Sequence, residues 1–175
     1  MDTAVWEPTP TLVTERLRLR PYSDDAEDRA FFQGLFSDPT VMTHLDGALD
    51  AGSASGVFDR VLDLTRRRAF WLWGIESRET GSLVGHAEVK PNDEIDAVEV
   101  VYMLEAASWG RGLATEVAHE LVGVAADQVA RPVAATVQPA NAASRAVLRR
   151  VGLWYDGERT SDGLEVHRLP AGQDM

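Results

Sequence analysis

The chain has 175 residues, 45% hydrophobic, 26% charged and 7% aromatic, and its 17 basic and 28 acidic side chains leave a formal net charge of −11. That length and apolar share suit one compact globular unit and argue against disorder or low complexity. The absence of cysteine removes zinc ribbons, iron–sulfur clusters, thiol nucleophiles and disulfide frameworks together, while the acidic balance speaks against nucleic acid as a direct partner and favours amines or basic peptides. No apolar run approaches the ~18 residues that span a bilayer. The opening residues MDTAVWEPTPTLVTERLRL lack the basic-then-apolar order of a signal peptide. The expectation is a cytoplasmic domain with no membrane partner.

Leu and Arg alternate from Thr14 to Arg20, the period of a half-exposed strand that Pro21 closes. Ser23, Asp24 and Asp25 offer helix caps ahead of a stripe formed by Ala30, Phe31, Leu35 and Phe36. Asp38 to Gly56, rich in Gly, Asp and Ser, reads as a loop able to move. A second helix is expected from about Ser55 to Arg68 on Val57, Val61, Leu62 and Leu64. Phe70 to Ile75 and Ser82 to Val89 read as a hairpin about the turn Ser77 to Gly81. Pro91-Asn92-Asp93 makes a further turn before a strand from Ile95 to Leu104. From Ala97 onward both faces of that strand are largely apolar, which puts it inside a sheet.

Gly112 to Val129 is helical, with Leu113, Val117, Leu121 and Val124 along one face. Pro132 to Val137 is a short strand. Asn141 caps a helix carrying Val147, Leu148 and Val151, and Gly152 stops it. Trp154 to Leu169 gives two strands around Ser161-Asp162-Gly163. The helical crossover after the strand ending at Leu104 requires a parallel neighbour, so the fold class is α+β with one mixed sheet.

Three segments carry candidate chemistry. Ser108 to Glu116 follows a strand and opens a helix; Gly110, Gly112 and the small Ala114 let backbone approach a ligand closely. The first-turn N–H groups have no intrahelical partner, and the helix dipole favours an anion such as a pyrophosphate, to which Thr115 adds a hydroxyl. Close packing alone accounts for such a turn equally well. Its spacing is neither GxxxxGK[ST] nor GxGxxG, so triphosphate and dinucleotide sites gain no support.

Glu99 shares a strand face with Ala97, Val101 and Met103. A carboxylate there either has a polar partner or opens onto a cleft, because an unpaired polar group in apolar surroundings costs about 2–7 kcal/mol. Burial of that kind suits general-base work; a strand-edge position or an ion pair with an arginine stands level with it. Asn141 reads as an N-cap, and Ser144, one turn on and on the same side, reads alone as a capping or solvated serine. His86 and His119 lack metal-ligand spacing.

In this order the segments resemble the GNAT superfamily of acyl-CoA-dependent N-acyltransferases, and within it the RimJ/RimL-like branch. Thr14-Glu15-Arg16-Leu17-Arg18-Leu19-Arg20-Pro21 is similar to that branch's TERL-x-LR-P start, and Glu99-Val100-Val101-Tyr102-Met103-Leu104 to its E-x-G-Y-x-L strand. Trp109 through Glu116 is similar to its W-G-[KR]-G-x-A-T-E loop, and Asn141 with Ser144 through Gly152-Leu153 to N-x-x-S-x-x-V-L-x-x-x-G-F with Leu for Phe. The likeness runs from about residue 12 to 169. It implies a single GNAT-like domain over 1–175, a mixed sheet flanked by helices whose splayed central strands form an acyl-CoA gap.

The resemblance further implies acetyl-CoA as cosubstrate and no metal. Backbone at Val101, Tyr102 and Met103 would meet the acetyl and pantetheine portion and polarise the thioester carbonyl. Gly110, Arg111, Gly112, Ala114 and Thr115 would cradle the pyrophosphate, Asn141 would bond the pantetheine arm, and Ser144 would sit near the sulfur. The implied reaction is direct transfer to a primary amine, with Glu99 as base and Ser144 as acid to the departing thiolate. Leu148 stands where many members carry a tyrosine, leaving Ser144, Tyr155 or water as the acid, and Val101 replaces the branch's usual Gly.

The acceptor region, Met42 to Leu45 with Trp71 and Trp73, carries no readable signature; the tryptophans share a strand face and either line a pocket or, with more weight, pack the core. His44 reads as solvated. The implied acceptor is a cationic amine, whether a protein N-terminus, a polyamine or an aminoglycoside-like molecule, and the implied state is monomer or homodimer. A non-catalytic acyl-CoA-binding module on the same fold is the alternative. A purely structural protein is a third reading, disfavoured because each loop glycine weakens local helix formation by about 1 kcal/mol.

Overall fold

The computed structural model describes residues 6–170. Residues 1–5, the start of the segment read as lacking a leader, and residues 171–175 lie outside them. In chain order come β1 (Leu12–Val13), β2 (Leu17–Arg20), α1 (Ala26–Ser37), a 3-10 turn (Val41–His44), α2 (Ala51–Arg66), β3 (Trp71–Ser77) and β4 (Leu83–Asn92). Then follow β5 (Ala97–Leu104), a 3-10 turn (Ala106–Ser108), α3 (Leu113–Gln128), β6 (Val133–Val137), α4 (Ala142–Arg150), β7 (Trp154–Arg159) and β8 (Glu165–Arg168). The strands form one sheet of eight, ordered β1-β2-β3-β4-β5-β6-β8-β7. β5 and β6 pair in parallel, whereas β1–β2, β2–β3, β6–β8 and β7–β8 are antiparallel. The α+β mixed sheet is as expected, and its parallel pair is the one the α3 crossover demands.

The chain divides into two compact units, Met1–Glu88 with Tyr102–Leu113, and Val89–Val101 with Ala114–Met175. In the first unit the alternating Leu/Arg segment is shorter than its pattern. Thr14 N donates to Leu17 O at 2.9 Å and Leu17 N to Thr14 Oγ1 at 3.1 Å, a tight turn that splits the run into β1 and β2. Leu17 and Leu19 are buried. Asp25 caps α1, accepting from Asp28 N at 2.9 Å.

The second helix begins ahead of the expected Ser55 because Asp50 caps it, accepting from Ser53 N at 3.0 Å; its Gly- and Ser-rich first turn has poor propensity and reads as loop from composition alone. Tyr22, Phe32, Phe58, Leu62, Leu72 and Leu83 form the core of this unit. Trp71 and Trp73, which alternate with Leu72 along β3 and lie outside that cluster, are buried as well. Their indole N–H groups donate to Glu7 O at 2.9 Å and Pro10 O at 2.6 Å. Packing, not pocket lining, is their role. His44 lies half-buried in the 3-10 turn.

In the second unit Val117, Ala118, Leu121, Val122 and Ala125 of α3 are fully buried, and Ala97, Ala134 and Val166 pack with Ile95. The turn expected at Pro91–Asp93 falls later, since β4 runs to Asn92 and the reversal uses Asp96 at φ +45°. Gly152, at φ +83°, ends α4 in the left-handed conformation that glycine adopts without strain.

Candidate functional site

In the first unit the segment after β5 is pinned at its start and open at its end. Trp109 Nε1 donates to Leu104 O at 2.8 Å, Ser108 Oγ to Glu105 Oε1 at 3.1 Å, and Glu105 N to Val84 O at 2.9 Å. Gly110 and Gly112 then take φ +72° and +77°, conformations costly to any residue with a Cβ. A Cβ at Gly110 would meet nothing within 4 Å, and at Gly112 its nearest neighbour is Arg16 Nη2 at 3.7 Å. Close packing is therefore not what these glycines serve. Arg16 Nη1 donates to Arg111 O at 2.8 Å, bracing the loop with a guanidinium, and Leu113 begins α3 directly. An exposed twisted loop with a cation beside it, leading into a helix N-terminus, has the features an anion cradle requires, so the residues present fit a diphosphate-bearing cosubstrate.

In the second unit Glu99 is 7% exposed. Its Oε1 accepts from Thr136 Oγ1 and its Oε2 from Asn92 Nδ2 at 3.1 Å. Of the readings open for it, burial with polar partners holds; those partners are a hydroxyl and an amide, not an arginine. The pairing of β5 with β6 covers Val98 with Val133 and Glu99 with Ala134, although β6 continues to Val137. Glu99 thus stands on the last paired rung, where the two strands begin to part.

Asn141 is the N-cap of α4, accepting from Ser144 N at 3.0 Å, and Ser144 is half-buried. Leu148, at the position where a tyrosine is common, is 1% exposed and offers core packing only. Tyr155 lies on β7, its ring centroid 5.7 Å from that of His167. Val101, Tyr102 and Met103 are half-buried near the C-terminal end of strand β5; Ala114 and Thr115 are half-buried in the first turn of α3.

Arg16, Asn92 and Thr136 escaped the sequence reading as site residues. A lone hydroxyl within the apolar run Val133–Val137 was the available signal for Thr136. Asn92 looked like an ordinary turn residue. Among the described residues no group of three or more His, Cys, Asp or Glu side chains could hold a metal, and no helix is long and apolar enough to cross a membrane.

The family model for the acetyltransferase (GNAT) domain matches residues 16–153. The uncharacterized protein YkkB of Bacillus subtilis (strain 168) is 30% identical over 148 residues, covering 82% of this chain and 85% of that protein. The crystal structure of an acetyltransferase from Agrobacterium tumefaciens str. C58 superposes with a TM-score of 0.77 at 29% identity, covering 93% of this chain and 95% of the other. The spermidine N-acetyltransferase of Vibrio cholerae, solved in complex with CoA and spermine, shares the fold at a TM-score of 0.72 and 15% identity, over 89% of this chain and 94% of that one. With the pinned glycine loop, the parting strands and a family match across most of its length, the chain belongs to the GNAT acetyltransferases, enzymes whose cosubstrate is acetyl-CoA.

Proposed function

We propose that the chain transfers an acetyl group directly from acetyl-CoA to a primary amine, and that the acceptor is cationic, a protein N-terminus or a small polyamine. The observation that carries this reading is the open loop at Gly110–Gly112, braced by Arg16. When bound, acetyl-CoA supplies an acyl carbon activated as a thioester. Backbone N–H groups of Gly110, Arg111, Gly112 and Ala114, with the Thr115 hydroxyl, receive its diphosphate, and the Arg111 side chain adds positive charge. Backbone at Val101, Tyr102 and Met103 aligns the acyl arm. Asn141 bonds that arm through its amide N–H while its oxygen caps α4.

An ammonium has no lone pair to attack with, so Glu99 takes its proton, directly or through water. Thr136 and Asn92 aim the carboxylate. Ser144 returns a proton to the departing sulfur. The net charge of −11 supports a cationic acceptor, and the block Thr14–Pro21 supports the RimJ/RimL-like branch.

Calorimetric titration of acetyl-CoA tests this reading first. Saturable one-to-one binding in the micromolar range is expected; no saturation at millimolar cosubstrate would overturn it. Amine-dependent CoA release over a panel of peptides and polyamines then separates the transferase from a module that only binds acyl-CoA, which would bind equally well and release nothing.

A further inference from the structure

A buried hydrogen-bonded chain lies in the first unit, outside the residues given roles above. Tyr22 Oη is 3.0 Å from His86 Nδ1, and His86 Nε2 is 2.9 Å from Glu88 Oε1. His86 is fully buried. It stacks on Tyr22 at 5.7 Å between centroids and has Phe32 and Phe36 of α1 at 5.5 Å. Burial pushes the Tyr22 phenol well above its ordinary pKa, so the phenol keeps its proton and donates it to Nδ1. In the neutral tautomer that accepts this bond, the ring proton sits on Nε2, and Nε2–H donates to the Glu88 carboxylate.

Two placements give the chain a function. Gly85 runs so close to the strand beside it that a Cβ there would stand 2.4 Å from Met103 O; Glu88 therefore lies on the strand flanking Tyr102 and Met103. The rings above His86 belong to α1, whose Phe36 O accepts from Leu49 N at 2.9 Å and so closes the loop that carries Met42 to Leu45, the acceptor region. Among aromatic rings an imidazole adds no packing that leucine lacks, and buried polar chains serve position better than stability. The end that reaches solvent is Glu88, its side chain 17% exposed.

Resting on the transferase reading, we propose that the Glu88 carboxylate, held by Tyr22 through His86, pairs with the ammonium group of the acceptor. Glu88 is thus a specificity residue for cationic amines, and Tyr22 and His86 are positioning residues.

The test compares wild type with Glu88→Gln, His86→Leu and His86→Gln, using spermidine, n-butylamine and an alanine-terminated peptide as acceptors. Loss of a charge-assisted pair raises the amine KM about tenfold or more, so Glu88→Gln should do this with kcat little changed and acetyl-CoA affinity intact. His86→Leu should raise KM likewise, and lower Tm somewhat because the buried Tyr22 hydroxyl loses its acceptor. His86→Gln, whose amide can accept from Tyr22 and donate to Glu88, should restore most of the loss. A His86→Leu variant with lowered Tm and unchanged KM would show a structural role and overturn the proposal.

A readout free of turnover is the His86 Nε2–H resonance of the CoA complex during spermidine titration. It should shift saturably in wild type and not in Glu88→Gln. No shift, with CoA bound normally, overturns the Glu88 assignment alone. Failure to bind CoA overturns the transferase reading, and the same titration on the free protein still decides Glu88.

Discussion

Glu99 and Asn141 each combine a structural bond with a proposed chemical one, and substitutions can separate the two. Glu99→Gln keeps an acceptor oxygen for one of its two donors, Thr136 and Asn92, turns an amide N–H toward the other, and cannot take a proton. Steady-state kinetics should show kcat falling about 100-fold or more, with calorimetric acetyl-CoA affinity near wild type; unchanged turnover would remove Glu99 from the mechanism. Asn141→Ala loses the bond to Ser144 N, a cap worth about 1 kcal/mol, so Tm should fall by about 2–4 °C and acetyl-CoA should bind more weakly. Asn141→Asp keeps the cap without the amide donor, so melting should match wild type while binding still weakens. If both variants bound acetyl-CoA normally, Asn141 would be a cap alone.

At the scale of elements, the loop before α3 separates conformation from contact. Gly110→Ala meets no neighbour within 4 Å but forces a Cβ into the left-handed region, at about 1–2 kcal/mol; a folded protein with a lower Tm is expected. Gly112→Asp adds both bulk and negative charge where the diphosphate is proposed to lie. Calorimetry should find no acetyl-CoA binding, and unaltered binding would place the cosubstrate elsewhere. Elements whose signals are local were legible in the chain. The caps at Asp25 and Asn141, the stop at Gly152 and the order of strands and helices all stood in the pattern. The start of α2 did not, because Asp50 decides it against the Gly and Ser that follow. The break between β1 and β2 likewise rests on a hydroxyl bond from Thr14 that the Leu/Arg alternation hides.

For the molecule as a whole, the stability dependence on pH has a named source. Burial alone would push the Asp28 carboxyl up, but Arg20 donates to both its oxygens at 2.8 Å and Ser23 N donates at 2.7 Å, which together hold it below the ordinary carboxylate range. A depressed carboxylate contributes its full stability above its unfolded pKa, about 3.9, and loses it as pH falls through the folded value. Thermal melts should therefore give a Tm little changed by this group from neutral pH down to about pH 5 and falling below about pH 4. Asp28→Asn takes the negative charge from a buried position beside a half-buried Arg20 that still keeps Glu76 at 2.9 Å; Tm at pH 7 should fall and the acid slope should flatten. An unchanged slope would assign the acid loss to other carboxylates.

The sequence by itself determined the family, the α+β class, the parallel pair and the glycine loop, since periodicity, caps and glycine placement act within a few residues of where they are written. Tertiary structure alone decided which groups meet. Glu99 finds Thr136 and Asn92, Arg16 reaches Arg111 O, Trp73 donates to Pro10 O, and Tyr22 holds His86. Most of these partners lie far apart in the chain, and the register of strands that brings them together is set by how a whole sheet buries its apolar face, which no single segment records.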